Sequence, residues 1–193
     1  VYSGSSSEFS LRDGSPERDI RGSSFRIGCR TVDVQGRQGV ADTDNLSKDA
    51  IGKLIDVCLQ NCRASEPEPD VVLYDGEVPD ASGLMIFDPG ILEVQHPERQ
   101  ERCRQMYELA SGTDSRVVSV RDTSWADGSG STMYASSEGF RVWYDDNSAA
   151  CSVTVVMSDG GSFEMTGASP ESRGIGDVDH SGVAREAGAR GHL

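Results

Sequence analysis

Residues 151–165 alternate apolar and polar side chains on both sides of a short Asp-Gly-Gly turn. The segment CSVTVVM has an apolar residue at every second position from Cys151 to Met157, and SFEMTG continues the alternation with Phe163 and Met165. Because successive side chains of a strand point to opposite faces, this pattern predicts antiparallel strands with one apolar face. Such a sheet generally buries that face under helices, so the chain must also supply a helical layer.

Shorter alternating segments predict further strands elsewhere in the chain. Phe9 and Leu11 alternate before an Asp-Gly turn, which is typical of a hairpin. Strands are also predicted in SFRIGCRTVDV, in RVVSVRD and in STMYASSEGFRVWYDD. The DGSGS stretch that precedes MYASSEGF is interpreted as a Gly-Ser turn. Together these segments predict a largely antiparallel or mixed β-sheet.

A helical period replaces the alternation after residue 46. One face of the predicted amphipathic helix carries Ile51, Leu54, Ile55, Cys58 and Cys62. This spacing matches a period of 3.6 residues. The DTDN stretch at 42–45 supplies capping residues before the helix, and EPEP at 66–69 cannot continue it.

Two more helices complete the predicted helical layer. Residues 66–96 are interpreted mainly as an excursion over the surface. A second helix then begins with Pro97 in its first turn and has apolar residues at helical spacing from Cys103 to Ala110. A short C-terminal helix begins at Asp179 or Ser181. The predicted fold class is therefore α+β: an antiparallel or mixed sheet, two main helices packed on one face, and a short C-terminal helix.

The composition argues against several classes of partner. The net charge of −14 repels phosphate backbones, and the short basic clusters alternate with glutamates, so direct nucleic-acid binding is not expected. No segment approaches the roughly 20 apolar residues that a membrane span needs. The five cysteines are irregularly spaced, which is more consistent with reduced thiols than with a disulfide framework. A cytoplasmic protein is the resulting expectation.

The sequence contains no recognisable catalytic motif. It lacks a P-loop, a G-x-S-x-G elbow and an H-E-x-x-H motif. Cys58 and Cys62 could contribute two ligands to a metal, but their place on the apolar stripe favours core packing. The DVDH stretch at 177–180 offers two carboxylates and an imidazole, with nothing elsewhere in the sequence converging on them. No catalytic residue and no metal ligand is therefore predicted.

Several motifs, taken in their order, resemble the TldD/PmbA family. The long stretch SFRIGCRTVDVQGRQGVADTDNLSKDAIGKLIDVCLQNC is similar to the opening of that family, and YELASGTDSRVVSVRD is similar to its helix-to-strand passage. YASSEGF resembles the family turn A-N-S-x-G, with Ser137 and Gly139 at matching positions and Ser136 in place of the asparagine. SPESRG, with Arg173, and DVDHSGVAREAGAR resemble the segment that leads toward a second domain. GRQG and GLMIFDPG are closer to the PmbA (TldE) side.

The resemblance implies a division of the chain and a place for zinc. Residues 1–176 would form the N-terminal α+β domain, and 177–193 would begin a linker helix toward a further C-terminal domain. TldD-type members carry an H-E-x-x-x-H zinc motif after this region and act as metallopeptidases, whereas PmbA-type members lack the motif and pair with the zinc subunit. Zinc is therefore expected only in a TldD-type partner or in the C-terminal domain, and this chain alone is predicted to be inactive.

The resulting hypothesis is a non-catalytic domain that contributes to dimerisation and peptide handling in a zinc metallopeptidase assembly. Its expected partners are a second copy or a TldD-type subunit and an unfolded peptide, which would add as a strand to a sheet edge beside MYASSEGF. The candidate contact residues are Ser137, Gly139, Phe140 and Arg173. Two alternatives stay open: the front half of the zinc-bearing TldD-type subunit, and a stand-alone acidic interaction module.

The family's older label, modulator of DNA gyrase, does not fit direct DNA binding at this charge. For the MYASSEGF loop itself, a plain turn shaped by Gly139 is the competing interpretation.

Overall fold

The computed structural model describes residues 1–78, 80 and 83–190. The strands are β1 (Tyr2–Arg12), β2 (Ser15–Val32), β3 (Gln38–Thr43), β4 (Val117–Ala135), β5 (Arg141–Ser158), β6 (Phe163–Ala168) and β7 (Glu171–Ser172). The helices are α1 (Lys48–Ala64), α2 (Pro89–Leu92), α3 (His96–Ser111) and α4 (His180–Ala189), with a 3-10 turn at Ile175–Asp177.

The hydrogen-bonded strands follow the order β3-β2-β1-β4-β5-β6, and β7 also pairs with β5. Strand β2 pairs with β3 in antiparallel orientation, and β5 pairs in the same way with both β6 and β7. The predicted α+β class with an antiparallel sheet is therefore confirmed.

The chain forms two compact units. The first unit holds Val1–Gly4, Ser23–Gly83 and Gly130–Tyr144, and the second holds Ser5–Gly22, Leu84–Ser129 and the residues from Asp145 onward.

In the first unit, the N-cap of helix α1 lies two residues beyond the end of the DTDN stretch. Ser47 is the N-cap residue, and its hydroxyl oxygen accepts a hydrogen bond of 3.2 Å from the amide of Ala50. Asn45 in turn accepts a hydrogen bond of 2.9 Å from the amide of Ser47. The expected capping by residues 42–45 is thus corrected, because these residues shape the preceding turn while a serine satisfies the helix end.

The buried face of α1 is narrower than its apolar stripe. Leu54, Cys58 and Cys62 are buried, as predicted, but Ile55 is 46% exposed. The thiol of Cys58 donates to the carbonyl oxygens of Cys29 and Gly39 at 3.3 and 3.2 Å. The two small thiols therefore let the helix lie directly on strand backbone, where a larger side chain would hold it away.

Gly39 in β3 is the point of closest approach between that strand and α1. A Cβ atom on Gly39 would lie 1.9 Å from the carbonyl oxygen of Cys58 and 2.5 Å from the amide nitrogen of Cys62. Both atoms belong to helix backbone, which cannot move aside as a flexible side chain could. The packing of α1 on β3 therefore requires glycine at this position.

We predict that Gly39→Ala lowers the free energy of unfolding by about 2 kcal/mol or more, because overpacking must displace α1. Gly28→Ala in β2 is the matched control, since a Cβ atom there meets nothing within 4 Å. Chemical denaturation of both variants provides the measurement. Equal losses in the two variants would contradict this account of the helix–strand contact.

The second unit contains a large apolar core around Trp125. The indole is fully buried, and its N–H donates to a carboxylate oxygen of Asp127 at 3.0 Å. Arg99 binds both oxygens of that carboxylate at 2.6 and 2.7 Å, and the guanidinium of Arg102 lies 4.1 Å from the indole centroid. The charges therefore stabilise the aromatic ring from both its edge and its face.

The β5–β6 hairpin exposes the apolar residues of its second strand. Met165 lies opposite Val156 and Phe163 lies opposite Ser158, so both belong to the outer face. Phe163 is 77% exposed. Glu164, opposite the buried Met157, shares the inner face instead. A change of register by one residue exchanges the two faces of a strand. The observed register therefore places the apolar residues of SFEMTG on the outer face, whereas the sequence pattern predicted the inner, buried face.

Two other segments also depart from the expectations. Within the predicted surface excursion 66–96, the short helix α2 buries Ile91, and Val94 is buried just after it; positions 79, 81 and 82 of that excursion lie outside the described residues. The DGSGS stretch at 127–131 lies inside β4 rather than in a turn. Its glycines and serines permit close neighbours without ending the strand.

The predicted second helix and the C-terminal helix are both present. Pro97 lies in the first turn of α3, which buries Cys103, Met106 and Ala110. Asp179 caps α4 by accepting a hydrogen bond of 2.8 Å from the amide of Gly182. Helix α4 packs on the core through small buried residues rather than large ones. Residues 191–193 of the predicted linker lie outside the described part of the chain.

None of the helices in the described part of the chain is long and apolar enough to cross a membrane.

Candidate functional site

A groove of about 800 Å³ in the second unit includes one of the residues singled out from the sequence, Arg173. We call it the Arg173 groove. It is lined by Met85, Phe87, Asp88, Pro89, Glu171, Ser172, Arg173, Gly174 and Asp177. Its volume falls in the range of ordinary ligand sites.

The side chain of Asn147 fixes one wall of this groove. Asn147 is 1% exposed, and its amide group forms a reciprocal pair with the backbone of Asp88. The Oδ1 atom accepts from the Asp88 amide at 2.9 Å, and Nδ2 donates to the Asp88 carbonyl oxygen at 2.8 Å. The backbone amide of Asn147 also donates to the carbonyl oxygen of Ile86 at 3.0 Å. The segment 86–88 is thereby held against β5 by three hydrogen bonds.

Asp88 joins the two walls of the groove. One carboxylate oxygen accepts from the amide of Gly90 at 2.8 Å, which caps α2, and the other accepts from the amide of Ile175 at 2.7 Å. These two N–H groups, from Ile175 and Gly90, hold the pKa of Asp88 below its usual value. The carboxylate therefore keeps its charge and its structural role to lower pH than a free aspartate.

Arg173 follows directly after the short strand β7. Its Nη1 atom lies 3.4 Å from the carbonyl oxygen of Asn147 and 3.4 Å from a carboxylate oxygen of Asp146. Ser172 shapes the turn after it by accepting a hydrogen bond of 3.1 Å from the amide of Gly174. The half-exposed guanidinium is therefore paired with a carboxylate while part of it faces solvent.

Two apolar side chains of the groove were missed by reasoning from the sequence. Met85 is 90% exposed and Phe87 is also exposed. They belong to GLMIFDPG, a stretch that drew notice only as a family likeness. An exposed methionine and phenylalanine in the lining give the groove a flexible apolar surface.

The MYASSEGF loop is a tight turn between β4 and β5. The amide of Ser136 donates to the carbonyl oxygen of Phe140 at 2.9 Å, and Gly139 has a φ of 91°. The Ser137 hydroxyl donates to its neighbour Glu138 at 3.2 Å, while the Phe140 ring meets Tyr74 edge-on with centroids 5.1 Å apart. The geometry accounts for the loop as a glycine-shaped turn, and it leaves a binding role for these residues untested.

A second groove, of about 620 Å³, lies in the first unit. It is lined by Val32, Asp33, Val34, Gln35, Gly36, Pro69, Val71, Val72, Leu73, Asp75 and Glu138. Of the MYASSEGF turn, only Glu138 is among these lining residues. Ser137, Gly139 and Phe140 belong to the first unit, whereas Arg173 belongs to the second.

The described residues do not fit a zinc site. Within residues 1–78, 80 and 83–190, no three His, Cys, Asp or Glu side chains come together in a way that could hold a metal ion. Burial raises the pKa of the Cys103 thiol to about 12 and that of Cys151 to about 11. Since a thiol must lose its proton to bind zinc, these two are poor ligands.

Comparison with known families matches both halves of the chain to domains of the same metallopeptidases. The sequence model of the PmbA/TldA metallopeptidase central domain matches residues 89–191, and that of domain 1 of the same metallopeptidases matches residues 1–62. The first match alone covers more than half of the 193 residues. The chain therefore belongs to the PmbA/TldD metallopeptidase family, as its motifs predicted.

Individual relatives agree with this assignment. The metalloprotease PmbA of Escherichia coli O157:H7 is 27% identical over 150 residues, which are 77% of this chain and 33% of that protein. The chain thus spans about a third of the length of this curated relative.

Three solved structures share the fold. A protein described as a modulator of DNA gyrase from Bacteroides thetaiotaomicron has a TM-score of 0.82 at 23% identity. The match covers 98% of this chain and 43% of the Bacteroides chain. Another described in the same way, from Thermotoga maritima, has a TM-score of 0.78 at 15% identity, covering 97% and 42%. TldE from Thermococcus kodakarensis has a TM-score of 0.73 at 16% identity, covering 98% and 42%. At these identities the similarity shows that the fold is shared, and it shows no more than that.

We predict that Gly139→Ala lowers the free energy of unfolding by about 1 kcal/mol, since an L side chain is strained at positive φ. Gly139→Asn should cost less, because asparagine tolerates left-handed backbone better. Gly52→Ala, within α1 and with open space around its Cβ position, is the control and should be neutral or stabilising. A loss in Gly52→Ala as large as that in Gly139→Ala would refute the backbone explanation.

We also predict a pH-dependent loss of stability in Asp88→Asn. Because the pKa of Asp88 is lowered in the folded chain, its contribution is complete at neutral pH and disappears as the pH falls through that lowered value. Thermal melts at pH 7 should show the variant to be less stable than the parent. The gap should narrow as the pH falls below the ordinary aspartate pKa of about 3.9 and close below the lowered pKa of the folded chain. Asp56→Asn on α1 is the control. A gap that stays constant with pH would show that the charge of Asp88 is not the cause.

Proposed function

We propose that this chain is the N-terminal, non-catalytic part of a PmbA-type protein that handles unfolded peptide for a zinc metallopeptidase assembly. Membership of the metallopeptidase family supports the link to proteolysis. The names of two relatives, metalloprotease PmbA and TldE, favour the PmbA side over the zinc-bearing TldD side. The H-E-x-x-x-H motif is absent from this sequence, so catalysis would belong to another part of the assembly.

The observation that carries the peptide-handling role is the Arg173 groove. Exposed apolar atoms of Met85 and Phe87 stand beside polar groups that are already held in place by Asn147 and Asp88. A preformed wall of this kind orders little on binding, so it loses little conformational entropy. The apolar surface would take side chains of a peptide without demanding one particular sequence.

The expected assembly and surroundings are part of the same proposal. We expect a second copy or a TldD-type subunit as partner, a cytoplasmic location, and zinc only in the TldD-type subunit or in a C-terminal domain. The turn that carries Ser137, Gly139 and Phe140 would be a contact for partner or peptide, including strand addition beside it. These points extend the family assignment and need their own tests.

Peptide binding provides the first test. A fluorescently labelled neutral peptide of alanine, leucine and serine should raise its anisotropy on titration with the 193-residue chain. Met85→Ser should weaken this binding by about threefold to tenfold, as expected for removing one apolar side chain from a contact. The fold should be unaffected, because Met85 is 90% exposed.

Phe163→Ser is the matched control for that measurement. Phe163 is also an exposed apolar residue of the second unit, 77% exposed, but it does not line the groove. Its replacement should leave peptide affinity unchanged. No binding of the neutral peptide, or equal losses in the two variants, would overturn the proposed role of this groove.

A further inference from the structure

We infer that the Arg173 groove selects peptide segments that combine apolar and basic side chains, and rejects acidic ones. This inference rests on the proposed peptide-handling function and specifies its substrate class. It follows from the arrangement of charge around the apolar surface of the groove.

The charged residues that line the groove are mostly acidic. Among the described lining residues, the acidic ones are Asp88, Glu171 and Asp177, and the basic one is Arg173. That guanidinium also lies 3.4 Å from the carboxylate of Asp146, which offsets its charge. The chain as a whole carries a net charge of −14 and so reinforces the local field. A cationic ligand is therefore attracted both at long range and within the groove.

The three carboxylates differ in what they can offer a ligand. Both oxygens of Asp88 accept backbone hydrogen bonds, so this group supplies charge more than a contact. Within the described part of the chain, Asp177 accepts a hydrogen bond only from the Ser172 hydroxyl, at the long distance of 3.4 Å, and Glu171 is exposed on β7. Glu171 and Asp177 are therefore the groups able to pair directly with a bound cation.

The apolar residues determine which cation suits the groove. A lysine or arginine side chain has an aliphatic stem that can pack on Met85 and Phe87 while its charged end reaches a carboxylate. A compact inorganic cation would leave that apolar surface uncovered, and a phosphate backbone would be repelled by the carboxylates. A peptide with alternating apolar and basic residues satisfies both features of the groove.

The test compares two labelled peptides of equal length that contain leucines with either lysines or glutamates. We expect the lysine peptide to bind the chain about tenfold more tightly at low salt, and we expect high salt to reduce this preference because exposed charges are screened. The double variant Glu171→Gln/Asp177→Asn should lose most of the preference. Thermal melts establish that the variant is folded.

A second double variant controls for net charge. Glu101→Gln/Glu108→Gln also removes two negative charges, but from the surface of α3, and neither residue lines the groove. It should keep the preference for the lysine peptide. A preference that survives in the groove variant, or that falls equally in both variants, would overturn the inference.

The neutral peptide separates this inference from the function on which it rests. If the neutral peptide binds and the two charged peptides bind equally, the charge selectivity is wrong while peptide handling stands. If the neutral peptide does not bind, the proposed function is wrong and the inference fails with it.

Discussion

The buried amide of Asn147 is the interaction on which the Arg173 groove depends. A buried asparagine is tolerated when its polar atoms find partners, and here Oδ1 and Nδ2 both pair with the backbone of Asp88. This pairing holds a loop segment against β5 as an additional strand would. Asp88 then extends the same network to the amide of Ile175. The groove is therefore a consequence of backbone hydrogen bonds arranged by two side chains.

The two units are stabilised in different ways. The second unit has a continuous apolar core in which the helices α3 and α4 cover strands, with a buried Arg99–Asp127 pair beside the indole of Trp125. In the first unit, α1 lies on strand backbone, and its contacts are thiol hydrogen bonds and the close approach at Gly39. Small residues are essential in that second kind of contact, since no side-chain layer separates helix from strand.

Much of the architecture could be predicted from local patterns. The period of 3.6 residues located α1 and α3, and the Asp-Gly pair located the first hairpin, where Asp13 and Gly14 both have positive φ. The faces of β6 could not be predicted in this way, because alternation does not say which face meets a core. Register decides it, and register depends on the length of the turn and on the neighbouring strand.

The candidate site divides in the same manner. Motif order identified the family and directed attention to Arg173 and to the MYASSEGF turn, since the residues of a motif are adjacent in the sequence. Met85, Asp88 and Asn147 escaped notice because residues far apart along the chain meet only when strands pair. The sequence by itself determined the periods, the turn residues, the acidic balance and the family. Only the tertiary structure decided which apolar side chains stay in solvent and which carboxylates face them, because both depend on contacts between distant segments.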